Sequence, residues 1–274
     1  MNKYKFVDEG GAHMHLLIDS GIWRPLVGTS SVVGVLAKQL TWWASGLAVR
    51  ELGWTPAIDP ETRKKLPVEP RIMTATARLE QIKGMTGEEY LKTLDVAYSA
   101  HSKNLNKAAT AGTDLHAVLE NYVKKCIEMN DGMPIFQDSV SPIRQFISWS
   151  IENVQRFIWS EAHCFDEQRF IGGISDCGVE MKDGSVGILD FKSAKTAYDS
   201  HFLQIAGYAL QVEKNGLFDE NGNHKMKLDK PISFYAVVPF GAREFKVEER
   251  KDITNLKAGF DACLLLYKLI ELKQ

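Results

Sequence analysis

The stretch GGISDCGVEMKDGSVGILDFKSAK, Gly172 to Lys195, constrains the fold of this chain more than any other. It reads as a β-hairpin whose strands are apolar except where they carry Asp176, Asp190 and Lys192. Burying a charge in a sheet is costly unless the charge is paired or holds a metal. Two carboxylates and an amine where valines would pack better therefore point to chemistry.

Turn chemistry decides whether the two aspartates cooperate. A two-residue type I′ loop at Asp183-Gly184 would set Asp176 opposite Phe191 and send the acids to opposite faces. A three-residue loop, Lys182-Asp183-Gly184 with Gly184 left-handed in a G1 bulge, sets Asp176 directly opposite Asp190. A one-residue slip inverts every side chain, so the two registers exclude each other. The bulged register is preferred because it also places Lys192, two residues past Asp190, on the face of both acids. Carboxylates with Cβ atoms ~5 Å apart repel and raise one pKa unless a cation lies between them. A hard divalent ion removes that conflict. Lys192 beside it would orient or deprotonate an attacking water, or neutralise charge on a pentavalent phosphorus. The competing reading is a surface ion triad at a strand end, which is common and nearly neutral in energy.

The chain of 274 residues, 45% of them hydrophobic, can bury a sizeable core as one large domain or as a core with a helical elaboration. A net charge of −2 gives no global attraction to nucleic acid or membrane. Polyanion binding would rest on local clusters such as Arg63-Lys64-Lys65 or Lys103 and Lys107. No apolar stretch nears the ~20 residues of a membrane span, and MNKYKFVDEGG lacks an apolar h-region. The cysteines, Cys126, Cys164, Cys177 and Cys263, stand apart with no C-x-x-C pair. Reduced thiols in the cytoplasm of a bacterial or phage-infected cell are the expectation.

Around the hairpin, short strands are expected over 4–8 and 14–18, then a helix from about 30 to 52. The proline-rich GWTPAIDPETRKKLPVEP reads as a loop. Helices follow at about 73–85 and 87–109, then an amphipathic helix capped by Thr113 with Leu115, Val118, Leu119, Tyr122, Cys126 and Ile127 on its apolar face, and another from Pro142 to Trp159. Strands at about 161–171, 173–181 and 185–192 lead to a helix at 199–214, a strand in PISFYAVVPF, a strand at 244–249 and a helix from 252 to 272. Asp166-Glu167 beside Gln168-Arg169 reads as a turn and not as a second acidic pair. This order makes an α+β, or mixed α/β, core.

Taken in order, the segments GTDLH, SE, GGISD, ILDFKSAK and QIAGYAL resemble the motif series of the RecB-like branch of the PD-(D/E)XK nuclease superfamily. The series is also similar to the mitochondrial genome maintenance exonucleases and related phage proteins. The resemblance covers residues 110 to 210 most fully and is weaker for SSVVGVL near residue 30. It implies a restriction-endonuclease-like core over 111–274, a central mixed sheet flanked by helices. Residues 1–110 would be an N-terminal hairpin and helical elaboration that arches over the site.

The resemblance further implies that His116, Asp176, Asp190 and the backbone carbonyl of Phe191 ligate Mg²⁺ or Mn²⁺, with Lys192 as the catalytic lysine. Glu161, which would begin the first strand of the meander, matches the family's first acidic position. Gln204 and Tyr208 match its Q-x-x-x-Y element, which would contact DNA or support Lys192. Lys195 would meet a phosphate, and plain surface fits it equally well. Some RecB-like nucleases hold an iron–sulfur cluster on four grouped cysteines; the cysteines here lack that grouping, so no cluster is expected.

The bland readings are a hydrogen-bonded structural histidine for His116 and ordinary helix residues for Gln204 and Tyr208. Glu120 reads as surface or support, and His101, His163 and His201 as structural or solvent-exposed. Most tryptophans read as core, although Trp42 and Trp43 cannot both face inward on one helix, and one of them would line a DNA passage. The implied activity is a metal-dependent DNA exonuclease acting on single-stranded ends in replication, recombination or repair. The alternatives are a structure-selective endonuclease of the same fold and a non-catalytic nuclease-fold DNA-binding subunit.

Overall fold

A computed structural model describes residues 2–9, 12–36, 41–58, 64–129, 141–241 and 245–270. Arg63 and the side chains of Trp42, Trp43 and Lys107 lie outside the described set. The chain forms two units, Met1–Ala37 with Gly112–Gln274, and Lys38–Ala111. The N-terminal hairpin thus groups with the residues of the expected core and not with the helical elaboration.

The architecture is mixed α/β. Strands β1 (Tyr4–Glu9), β2 (Ala12–Asp19) and β3 (Ile22–Pro25) make an antiparallel sheet. A larger mixed sheet contains β4 (Val27–Gly28), β5 (Val154–Asp166), β6 (Ile171–Met181), β7 (Val186–Lys192), β8 (Leu217–Phe218), β9 (His224–Met226), β10 (Ile232–Pro239) and β11 (Glu248–Arg250). Its order is β11-β10-β7-β6-β5-β8-β9, with β4 beside β6. The helices are α1 (Thr29–Val33), α2 (Thr41–Glu51), α3 (Val68–Lys83), α4 (Gly87–Glu128), α5 (Ser141–Asn153), α6 (Asp199–Asn215) and α7 (Ile253–Ile270). The smaller unit holds α2, α3 and the first part of α4.

The central strands are covered on both faces, which is why VGILDFK is nearly continuous in apolar character. Val32 of α1, Ile205 and Ala209 of α6 and Phe260 of α7 cover one face. Leu119 and Tyr122 of α4 with Phe146 and Ile147 of α5 cover the other. Tyr4, Leu17, Leu26 and Phe165 join the small sheet to the large one.

Four local expectations change. Helix α4 runs unbroken through Thr113, which is therefore not a cap; the alanine-rich NKAATAG has the helix propensity to carry the chain through one glycine. Helix α5 ends at Asn153, and Val154, Phe157 and Ile158 lie in β5, where β-branched and aromatic residues suit a pleated surface. The helix expected from 30 to 52 is α1, a 3-10 turn at Gly34–Leu36, and α2. Helix α3 begins at Val68 with Pro70 in its first turn, a place where a missing N–H costs nothing. Trp159 is buried and Trp149 packs against the core, but Trp54 is exposed. Among the described residues no helix is long and apolar enough to cross a membrane.

Candidate functional site

The β6–β7 turn has three residues. Gly184 N–H donates to the Met181 carbonyl at 2.9 Å, Met181 N–H donates to the Ser185 carbonyl at 2.8 Å, and Gly184 has φ +84°. The ladder pairs Val179 with Gly187 and Cys177 with Leu189. One further step sets Asp176 across from Asp190, which is the bulged register.

At that step the sheet forks. Strand β7 continues beside β10, with Asp190 opposite Val237 and Lys192 opposite Pro239. Strand β6 takes β4 as its neighbour at Ile171 and Gly172. In the gap, the Phe191 N–H donates to Asp176 Oδ2 at 2.8 Å, so a side chain replaces a ladder bond. Lys192 Nζ lies 3.0 Å from Oδ1 and 2.8 Å from Oδ2 of Asp190. Asp190 is 1% exposed, and its Oδ2 has no aligned hydrogen bond despite that close ammonium.

Two further groups reach the fork. Glu161 does not begin its strand: it lies within β5, where the pairing of Ser160 with Cys177 and Ala162 with Ser175 puts it opposite Asp176. Its φ of +45° follows a register shift between Phe157 and Trp159. A left-handed glutamate inside a strand is strained backbone of the kind that collects at functional sites. From α4, His116 Nδ1 comes within 3.9 Å of Asp176 Oδ2, and its ring meets the Phe191 ring edge-on. One ligand atom from each of His116, Glu161 and Asp176 falls within 4.8 Å of the others. Ligands of one octahedral Mg²⁺ stand roughly 3.0 Å apart when adjacent and roughly 4.2 Å when opposite, so the three groups would draw together around such an ion. Asp190 is not one of the three; it stands beside them, held by Lys192.

The electrostatics follow from three carboxylates sharing one ammonium. Burial and then the charge of Asp190 push Asp176 well above the usual carboxylate range, while Lys192 and the Phe191 amide act against them. Burial and then Glu120 push Glu161 up to about 7, with Lys124 opposing. Burial would depress Lys192, but the charges of Asp190 and Asp176 outweigh it and keep the group an ammonium. Burial and then Lys192 lower His116, which leaves a neutral imidazole. Carboxylates and a neutral imidazole are a donor set suited to a hard or borderline divalent ion.

Gln204 Nε2 donates to Tyr208 Oη at 2.7 Å. The tyrosine ring lies against Gly173, where a Cβ would stand 2.6 Å from Tyr208 Cε1 and 2.7 Å from Thr29 Oγ1. Only glycine fits beneath that ring. Burial, then the charges of Asp190 and Asp176, raise the Tyr208 hydroxyl pKa, so this side chain shares the field of the two acids. Lys195 lies exposed in the segment after β7.

His201, set aside on sequence alone, belongs to this neighbourhood. Its Nδ1 accepts from the Tyr198 N–H at 3.3 Å, and burial, then the Lys192 charge, lower its pKa. The available signal was its place one turn ahead of Gln204 on α6. No protein-family model and no curated protein sequence matches this chain.

Proposed function

We propose that the chain is a metal-dependent deoxyribonuclease of the RecB-like PD-(D/E)XK type, acting as an exonuclease on single-stranded DNA ends. One observation carries this reading: buried carboxylates in excess of compensating charge at a strand fork, with one ammonium retained among them. A purely structural cluster would be expected to balance its charges. Asp190 Oδ2, with the Lys192 ammonium at 2.8 Å but no aligned hydrogen bond, keeps a lone pair that a second cation would satisfy.

His116, Asp176 and Asp190, with Glu161 within reach and the Phe191 backbone carbonyl as a further ligand, would hold Mg²⁺ or Mn²⁺. When bound, such an ion polarises a phosphate and lowers the pKa of water. Lys192, paired with Asp190, stabilises the charge that develops on phosphorus and orients the attacking water. The Phe191 amide fixes Asp176, and the Gln204–Tyr208 pair fixes the floor of the cleft over Gly173.

End-labelled linear and covalently closed single-stranded DNA, incubated with Mg²⁺, Mn²⁺ or EDTA, test the proposal. Linear DNA should be degraded only with metal, and Asp190→Ala or Lys192→Ala should lower the rate by about 100-fold or more. Wild-type rates in those variants would overturn it. Cleavage of closed circles would turn the reading to an endonuclease, and binding without cleavage to a non-catalytic subunit.

A further inference from the structure

Next to Glu161, along the edge of β5, runs a groove of about 290 Å³ that the reaction as described does not use. Strand β8 meets β5 at a single pair, His163 with Phe218, which leaves the stretch around Glu161 open on that side. Ser160 and Ala162, the neighbours of Glu161, line the groove, so it begins where the candidate site ends. Its apolar lining includes Ile127, Ile158, Trp159, Leu217 and Met226. Lys124, Lys225 and the acid Glu128 also line it, and Lys124 is ion-paired to Glu120.

Three properties define what fits. The volume is at the small end of the ~300–1,000 Å³ of ligand sites, suited to one flat apolar group and not to a stacked run. The lysines of the lining favour a group attached to anions. Lys124 belongs to both places, because its charge acts on Glu161 while its side chain lines the groove. The Trp159 indole is buried, with its N–H given to Ser175 Oγ at 3.2 Å, so aliphatic and thioether surface, not aromatic stacking, would hold the ligand.

Resting on the nuclease reading, we propose that this groove takes the base of the nucleotide adjoining the scissile phosphate, with Lys124 and Lys225 on the flanking phosphodiesters. Contacts of this kind discriminate poorly among bases, which suits processive removal of any nucleotide.

The test compares an intact end-labelled oligonucleotide with one carrying an abasic residue beside the cleaved bond, using wild type, Met226→Trp and Lys225→Ala. In wild type the abasic residue, by forgoing the burial of one apolar group, should lower kcat/KM about five- to tenfold. Met226→Trp, which fills the groove, should cause a similar loss on the intact strand and little further loss on the abasic one. Lys225→Ala should weaken both substrates and reduce the slope of log affinity against log salt by about 0.7; this arm and the abasic comparison hold even if the tryptophan variant does not fold. Equal cleavage of both strands by wild type, with Met226→Trp inert, would overturn the groove assignment and leave the nuclease standing, the groove then serving a protein side chain or nothing. Absence of cleavage of any strand under any metal would remove the nuclease and the groove together.

Discussion

Asp166 closes β5 with a fully buried side chain, and Asp176, ten residues on, is 12% exposed in the strand that β5 pairs with. Around Asp166 every demand is met. Oδ1 accepts from the Gln168 and Arg169 amides at 2.8 and 3.2 Å and from Lys214 Nζ at 2.6 Å, and Oδ2 accepts from Arg169 Nη1 at 2.9 Å. Arg169 also forks onto Asp261 at 2.8 and 3.0 Å. Burial alone would raise Asp166, but the Lys214 and Arg169 bonds outweigh it and hold the carboxyl below its usual range. Asp176 has one backbone amide and must share Lys192 with Asp190 and Glu161, and it is held well above that range. One hairpin thus contains an acid that stabilises the fold and acids that strain it. Strain of this kind is kept where a ligand relieves it.

The largest expected effect falls on the compensated acid. Asp166→Ala strands Lys214 and Arg169 Nη1, and should cost about 3–5 kcal/mol in denaturant unfolding. Cleavage per folded molecule should not change, because no part of that cluster reaches the fork. A loss of less than 1 kcal/mol would mean that the ion cluster is ornamental, and the contrast between the two acids would collapse.

The same contrast explains what the sequence disclosed. Both turns were legible because their chemistry is local: Lys182-Asp183-Gly184 admits a G1 bulge, and Asp166 through Arg169 is a turn whose acid caps its own backbone. Asp190 and Lys192 were legible because charges interrupt apolar strands. His116 sits in GTDLH on a helix face where nothing local separates a ligand from a structural histidine, so only the motif order singled it out. The left-handed backbone at Glu161 sits in the long-range pairing of β5 with β6, which leaves no trace in SEAHC. The α5–β5 boundary went unread because VQRFIW satisfies helix and strand patterns alike, and the sheet decided between them.

A second, smaller effect probes the strained acids through pH. Glu161 titrates near 7 when folded and near 4.5 when unfolded. The folded state therefore holds the extra proton, and stability without metal should fall as pH rises from about 4.5 to about 7. His116 acts oppositely: lowered from 6.5, it favours the fold above that value and loses this contribution as pH falls. A divalent ion that needs the ionised carboxylates should raise Tm much more at pH 7.5 than at pH 5, with ~2.7 kcal/mol expected at 100 times Kd. Asp166→Ala should retain the full response and Asp190→Ala should lose it. A Tm indifferent to Mg²⁺ and Mn²⁺ at both pH values would separate these carboxylates from metal binding altogether.

The smallest effect is the sharpest, because its sign is unusual for replacing a half-buried charged residue. Glu161→Gln keeps shape and hydrogen-bonding capacity while removing a charge that Glu120 and Asp190 repel. At pH 8 without metal it should stabilise the protein by ~1–2 kcal/mol, a figure reduced for partial exposure. The gain should shrink at pH 5, where the folded wild-type carboxyl is already protonated. Asp166→Asn run beside it should lose stability at pH 8 and recover part of that deficit toward pH 3, since its reference carboxylate is stabilising only while ionised. Opposite pH slopes from two acids of one strand would tie the division of labour to charge compensation, because strand position and burial alone would give both slopes the same sign.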